Sequence, residues 1–519
     1  MLRMIRNHGS RIVLAGLGAV LLTLAFPKIG LGWLAWAALV PLVLSIRQAR
    51  PTVGFFLGFI FGMVHNLGLV YWVVFTMHQY GNIPIAQAVV LLVLLAGYLS
   101  LFPAAFTAAL TWLRPGPGRL ILLAPALWVG LELIRNRLFT GFPWELLGYS
   151  QYEHLRLIQM TDIFGVYGLS GLIVFCNCVL AVGLLYWLEL PWQDRVPVRK
   201  TFARAAVALV VVLAAAATYG HRRMHVIDRA AASAKQIRVA VIQGNIDQAQ
   251  KWDPRFQVLT TVKYRRLSLE SPAKEADLII WPETATPFYF MDNPVLTDMV
   301  LEGIRATRAH FIIGSPSYAK GEKQLIYHNS AYLISPQGET RGKYDKVHLV
   351  PFGEYVPLKR FLPFIDKLVA QVGDFKPGRQ GHTLTWDDRR VGLLICYESI
   401  FPELARAMVR NGSNLLVNIT NDAWFGHTSA AFQHFSMAVF RAVENRRCLA
   451  RAANTGISGF IDANGRILET TDLFKDAAAT RSTPLLKVQS LYTRWGDWPL
   501  WLLALSVTAL SIKRRLNVN

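Results

Sequence analysis

The sequence predicts a multi-pass α-helical membrane domain of about eight spans joined to an α/β layered domain. Three observations predict it. Between Arg50 and Arg114 there is no Asp, Glu, Lys or Arg at all. The chain is apolar and basic together: 53 % of its residues are hydrophobic, 17 % are charged, and the formal net charge is +21. Soluble domains carry about 25 % charged residues. Beyond about residue 220 the texture changes to short apolar runs alternating with polar turns. The same figures exclude a disordered chain, which needs low hydrophobicity. Four Cys in 519 residues exclude a disulfide scaffold.

A spanning helix needs about 20 mostly apolar residues. Seven such segments lie near 11–26, 29–46, 53–76, 84–112, 119–138, 163–189 and 203–219, and an eighth near 496–512. Only Pro27-Lys28-Ile29-Gly30 separates the first two, which form either a tight hairpin or one broken element. The basic start (Arg3, Arg6, Arg11) also fits a cleavable leader, but no small-residue cleavage site precedes the next apolar run, so an uncleaved first span is expected. Loop charge sets orientation. One set of ends carries Arg3, Arg6, Arg11, Arg47, Arg50, Arg114, Arg119, Arg195, Arg199, Lys200, Arg204, Lys513, Arg514 and Arg515; the other carries Lys28, Arg135, Arg137 and Arg156. Both termini are therefore expected in the cytoplasm. The expected domains are 1–220 (about seven helices), 221–490 outside the cytoplasm, and 491–519 (a last span and cytoplasmic tail).

Within 221–490, buried strands are expected at 237–246, 278–282, 311–315, 330–334, 391–395 and 415–419. Helices are expected at 402–411 and 430–447. Asn464-Gly465 signals a hairpin, and Ser335-Pro336-Gln337-Gly338 another turn. Strands interleaved with helices suggest covered sheets. The sequence carries no P-loop, no HExxH and no Cys/His cluster at zinc spacing, so neither a metal nor a cofactor is expected.

Three blocks place an ionisable residue at the end of an apolar run. They are Ile279-Ile280-Trp281-Pro282-Glu283-Thr284-Ala285, then Tyr344-Asp345-Lys346-Val347-His348-Leu349-Val350-Pro351-Phe352-Gly353-Glu354, then Leu393-Leu394-Ile395-Cys396-Tyr397-Glu398. Singly, each has an ordinary reading: a solvated Glu, a solvated Lys, a small buried Cys. Together, and in this order, they resemble the nitrilase superfamily, whose members use a Glu–Lys–Cys triad in an αββα sandwich. The resemblance implies Glu283, Lys346 and Cys396 as that triad.

The chemistry is consistent with those residue types. A thiolate can take an acyl group as a thioester, and Glu283 can remove the thiol proton. Lys346 and a backbone N–H, that of Tyr397, can stabilise the oxyanion; one such donor is worth about 2.7–4 kcal/mol. Glu354 can hold Lys346 or Glu283 in place. Glu398 follows the nucleophile by two residues and would share its face on a continuing strand.

A nitrilase-like domain inserted between seven spans and one last span is unusual. It resembles the bacterial apolipoprotein N-acyltransferases over nearly the whole chain. The matching blocks include Gly141-Phe142-Pro143-Trp144, Lys251-Trp252, Trp281-Pro282-Glu283, Cys396-Tyr397-Glu398, Asn421-Asp422-Ala423-Trp424-Phe425-Gly426 and Arg451-Ala452-Ala453-Asn454-Thr455-Gly456. The resemblance implies a multi-pass inner-membrane protein with a periplasmic catalytic domain. It implies that Cys396 takes an acyl chain from a phospholipid, typically the sn-1 chain of phosphatidylethanolamine. The α-amino group of the diacylglyceryl-cysteine of an apolipoprotein then receives it.

Some side chains suit a lipid-binding role. Phe288-Tyr289-Phe290-Met291 and Phe361-Leu362-Pro363-Phe364-Ile365 (flanked by Lys359, Arg360 and Lys367) read as apolar loops with polar flanks. They fit either an interfacial lid or core packing. Phe288 and Phe364 stand for them, with Trp252 and Trp424 at the mouth or in the core, and Asn329 as a further site candidate. Cys176, Cys178 and Cys448 read as packing residues. A membrane-tethered amidase acting on small molecules is the alternative enzyme. A transporter would place ionisable residues inside spans; His65, Asn66 and Glu132 give that thin support. No nucleic-acid partner is expected for an outward-facing domain, and nothing demands more than a monomer.

Overall fold

The computed structural model describes residues 8–322, 324–355 and 375–517. The chain divides into two compact units. The first takes the residues up to Phe75, then Pro84–Arg223, and those from Trp495 onward. The second takes Thr76–Ile83 and Met224–Arg494.

Five helices are long and apolar enough to cross a membrane: Pro51–Leu69, Ile85–Leu113, Pro117–Arg135, Thr161–Trp187 and Arg199–Ser233. Two expected spans are shorter. His8–Leu24 is a single helix, while the 29–46 segment breaks into Gly32–Leu34, Ala35–Ala38 and Val40–Ser45. The expected 53–76 span ends at Leu69 and resumes as Trp72–Gln79. The last, Trp498–Leu516, carries Lys513, Arg514 and Arg515 in its final turn. Among the described residues, five helices thus have the length and composition of a membrane span, and the shorter apolar helices do not reach that length.

Val89, Val90, Val93 and Leu94 stand exposed on Ile85–Leu113, and Val207, Val210 and Val211 on Arg199–Ser233. Such apolar faces suit hydrocarbon, not water. Helix Pro51–Leu69 packs along Ile85–Leu113 through Gly54, Gly58 and Gly62, spaced four apart on one face. A Cβ on Gly58 would collide with the Thr107 hydroxyl and the Pro103 carbonyl. Small residues allow this close approach, which drives association in lipid.

The polar groups buried here are partnered structurally. His65 Nδ1 lies 3.0 Å from Thr23 Oγ1, and Asn66 Nδ2 donates to the Gly62 carbonyl at 2.9 Å. Glu132 accepts from Leu147 N at 3.0 Å and Trp128 Nε1 at 2.9 Å. These contacts tie helices and a loop together, as expected of polar groups with no water to bond; they do not mark a transport path.

In the second unit, β1 (Gln236–Gln243), β2 (Leu278–Ile280), β3 (His310–Lys320), β4 (Leu325–Ile334) and β5 (Thr340–Asp345) form one sheet. The other contains β6 (Thr383–Trp386), β7 (Arg389–Ile395), β8 (Leu415–Thr420), β9 (Leu449–Ala453), β10 (Gly459–Ile461) and β11 (Ile467–Thr470). A last strand, β12 (Ala477–Pro484), returns to the first sheet. The orders are β12-β1-β2-β3-β4-β5 and β11-β10-β9-β8-β7-β6.

Each sheet has a parallel β-α-β-α-β heart. Helices Pro254–Leu269 and Pro294–Thr307 connect β1, β2 and β3. Helices Pro402–Arg410 and Ala430–Asn445 connect β7, β8 and β9. Parallel strands need such crossovers. The sheets meet through Ser458 Oγ donating to Gln243 Oε1 at 2.7 Å and Asn245 N to the Asn454 carbonyl at 2.8 Å. This is the αββα sandwich that the resemblance implied.

The expected strands all form, with shifted ends: 278–282 stops at Ile280, while 311–315 and 330–334 lengthen to His310–Lys320 and Leu325–Ile334. Asn464-Gly465 turns β10 into β11, with Gly465 at φ +84°. Gly338 turns β4 into β5 at φ +87°.

Candidate active site

Strand β7 ends at Ile395, and the chain then turns sharply through Cys396–Ile400. Cys396 sits at φ +53°, a left-handed conformation that non-glycine residues rarely adopt. The turn presents the thiol at the C-terminal end of the parallel strands. It also means that Glu398 is not on a continuing strand, so the shared-face expectation fails. Glu398 instead folds back as a fully buried acceptor. It takes the N–H of Ile395 at 2.7 Å, of Val347 at 2.6 Å and of His348 at 3.1 Å, and the Tyr344 hydroxyl at 3.0 Å. One carboxylate thereby ties the Cys turn to the Lys346 loop. Burial pushes its pKa up to about 7, against those N–H bonds and Lys346.

Below the thiol lies a second buried network. The Cys396 carbonyl accepts from Ser399 Oγ at 3.1 Å and lies 3.1 Å from His434 Nε2. A carbonyl only accepts, so the ring proton is assigned to Nε2. Nδ1 lies between Arg451 Nη2 at 2.9 Å and Asp422 Oδ1 at 3.0 Å. Arg451 also holds Asp422 at 2.8 Å. Burial, then Arg451, lowers the His434 pKa against the pull of Asp422. Burial raises that of Asp422, but Arg451 and His434 more than reverse it, and its pKa is low.

Glu283 follows β2, and Gly314 on β3 lets the two chains approach: a Cβ there would strike Pro282 and Glu283 backbone atoms. Glu283 Oε1 accepts from Asn329 Nδ2 at 2.8 Å and lies 3.4 Å from Lys346 Nζ. Its Oε2 accepts from Asn421 N at 2.9 Å. Lys346 Nζ donates to Glu354 Oε1 at 2.9 Å, and Asn329 Nδ2 reaches the same oxygen at 2.7 Å. Glu354 Oε2 is fixed by Val350 N at 2.8 Å.

Lys346 is 1 % exposed. Burial alone would lower its pKa, but Glu354, Glu283 and Cys396 together raise it, so it is a cation. The Cys396 thiol is raised by burial and by Glu283, against Lys346. The resting thiol is thus neutral, flanked by a carboxylate able to take its proton and a cation able to hold the charge that follows.

Two family models match the chain. The apolipoprotein N-acyltransferase N-terminal domain matches residues 18–179, and carbon-nitrogen hydrolase matches 238–491. A curated apolipoprotein N-acyltransferase of Geobacter metallireducens is 46 % identical over 97 % of this chain and 95 % of its own length. The chain belongs to the apolipoprotein N-acyltransferase family. The Methylococcus capsulatus member is 34 % identical over 97 % of this chain and 96 % of its own. An amidase from Nesterenkonia sp. AN1 is 21 % identical over 51 % of this chain and 96 % of its own, at a TM-score of 0.38, too low to argue from.

Of the residues singled out in the sequence, Glu283 and Lys346 face Cys396 electrostatically, Asn329 and Glu354 bond to those two, and Glu398 bonds to the Cys turn. Tyr397 follows Cys396 directly, and its ring packs edge-on against Phe401 at 5.2 Å. Trp252 is half-buried. Trp424 is 37 % exposed and meets Tyr80 edge-on at 5.2 Å; its carbonyl accepts from Thr76 Oγ1 at 2.8 Å. Phe288 is a core residue rather than a lid residue. Phe288 and Phe290 point into the hydrophobic core, whereas Tyr289 and Met291 stand out at 37 % and 58 % exposed. Phe364 lies outside the described residues.

Sequence reasoning missed the roles of Ser399, Asp422, His434 and Arg451, which come from separate elements. It also missed that of Lys251. Asn421-Asp422, Arg451 and Lys251 stand inside the quoted matching blocks, and that was the only available signal.

Proposed function

We propose that this protein transfers an acyl chain from a phospholipid, phosphatidylethanolamine, through a thioester on Cys396 to the α-amino group of diacylglyceryl-cysteine in apolipoproteins. The observation that carries this reading is the buried constellation of Glu283, Lys346 and Glu354 beside a strained cysteine, in a chain of this family.

Glu283 takes the thiol proton, and the thiolate attacks the ester carbonyl. Lys346 and the Tyr397 N–H meet the oxyanion. Collapse breaks the ester bond, and the departing lysophospholipid oxygen takes the proton from Glu283. The amine of the acceptor then attacks the thioester and gives its proton to Glu283. Collapse breaks the C–S bond, forms the amide, and returns the proton to the thiolate. A thioester can wait for the second substrate when the site limits water.

On this reading 1–220 is the transmembrane domain, 221–490 the periplasmic catalytic domain, and 491–519 the last span and tail. The protein is a monomer of the bacterial inner membrane with both termini cytoplasmic. Trp252, Trp424, Tyr289 and Met291 are the side chains placed to meet lipid.

The test supplies labelled-acyl phospholipid and then a diacylated lipopeptide. Loss of the enzyme-bound label with N-acyl lipopeptide formed supports the transferase. Loss of label to free fatty acid alone points to a membrane-tethered hydrolase and overturns it.

A further inference from the structure

One buried cation beside the thiol has no part in the chemistry above. Lys251 lies in the turn before helix Pro254–Leu269 and is 1 % exposed. Its Nζ donates to the main-chain carbonyl of Glu283 at 3.1 Å. Among the described residues it has no carboxylate within ion-pair distance and no other hydrogen-bond partner. Its electrostatic partners are Glu283 and Cys396.

A lysine is an expensive way to satisfy one carbonyl. Burying a cation without an ion-pair partner is unfavourable even after relaxation, and a methionine fills the same volume. The charge count explains the choice. Glu283 and Glu354 bring two negative charges to the site, and Lys346 brings one positive charge. With those three alone, the site carries one uncompensated negative charge, on Glu283 at rest and on the thiolate once Glu283 has taken its proton. With Lys251 protonated, the site is neutral overall in both states, and the charge that moves to sulfur keeps a cation beside it.

The other charged groups nearby balance elsewhere. Asp422 is paired with Arg451, and burial, then Arg451, disfavours the charged form of His434. Glu398 is held by its own N–H donors. Burial, then Lys346, lowers the His348 pKa to about 4, so it is neutral. On its own turn, Asp253 is taken by Arg255, and Asp247 accepts from Ala249 N at 2.9 Å.

We propose that Lys251 is a positioning residue of the Cys396 site: it pins the Glu283 main chain and supplies the second positive charge that the thiolate needs. This inference rests on Cys396 being the nucleophile.

Burial lowers the Lys251 pKa to about 8, against Glu283 and Cys396. Proton loss from Lys251 therefore removes the second charge within the working range. The experiment measures single-turnover acylation of the full-length protein by labelled-acyl phospholipid in vesicles, from about pH 6 to 10. The wild type is expected to lose rate above about 8. Lys251→Arg, which stays charged, moves that limb to higher pH. Lys251→Gln keeps a donor for the Glu283 carbonyl but no charge, so it loses the limb and acylates roughly tenfold or more slowly. Lys251→Met does the same with the pinning bond lost as well.

A wild-type profile without the limb overturns the inference and needs no variant. So does Lys251→Gln with the wild-type profile, or Lys251→Arg with an unmoved limb. Label that persists in Cys396→Ala sinks the nucleophile assignment instead, which keeps the two failures apart.

Discussion

His434 holds the carbonyl of Cys396, with its Nε2 lying 3.1 Å from that oxygen. The nucleophile's left-handed backbone is thereby fixed from below, by a side chain that cannot reach substrate. His434→Ala is expected to leave Arg451 Nη2 short of an acceptor and to cost about 1–3 kcal/mol of stability. Acylation falls with it because the thiol is no longer aimed. Thermal melting of the purified protein and the acylation rate check this together.

The same residue gives a pH dependence. Its folded pKa lies below the ordinary imidazole value of 6.5, so the unfolded chain binds the proton more tightly. The His434 contribution is fully present above about 6.5 and is lost as pH falls through the folded value. Melting temperature is expected to drop below about pH 6.5, and the drop should shrink in His434→Gln. An equal drop in both proteins contradicts the assignment.

Glu398 is expected to be structural. Glu398→Ala strands three backbone N–H groups and the Tyr344 hydroxyl. At about 1–3 kcal/mol for each unsatisfied buried group, the loss should exceed that of His434→Ala. Differential melting of the two variants is the measurement.

Glu283→Gln keeps one acceptor oxygen, enough for Asn329 Nδ2 or Asn421 N but not both, so it should fold with a small loss of stability. It should lose general-base action, worth roughly 10²- to 10⁴-fold in acylation rate. A variant that melts like the wild type and acylates normally would remove Glu283 from the mechanism.

The loop-charge bias makes a topological prediction. A reporter fused near residue 230 should read as exported, and one at the C-terminus as cytoplasmic. A cytoplasmic signal near residue 230 contradicts the orientation.

Glu283 and Cys396 stood out in the sequence because each follows a short apolar strand, whereas Lys346 follows the polar strand β5 and stood out only through its block. The sandwich was legible where strands are β-branched and apolar, as in Leu415–Thr420. It was not where β9 reads Leu-Ala-Arg-Ala-Ala, whose fully buried Arg451 belongs to the network under Cys396. That network joins Ser399, Asp422, His434 and Arg451 across a turn, a strand end, a helix and a strand, so no spacing reveals it. Phe288 misled for a local reason: a four-residue apolar run alternates in and out, and composition does not say which phase is buried. Composition does not show that a helix stops at Leu69 or that 29–46 folds in three short pieces, so the lengths of the apolar helices were not legible.

The central claim is the acyl-enzyme at Cys396. The purified protein should be incubated with labelled-acyl phospholipid, digested and analysed by peptide mass spectrometry. A hydroxylamine-labile acyl adduct on the Cys396 peptide, absent from Cys396→Ala, is the predicted result. No adduct on that peptide, or an equal amount of label on Cys396→Ala, would contradict the account.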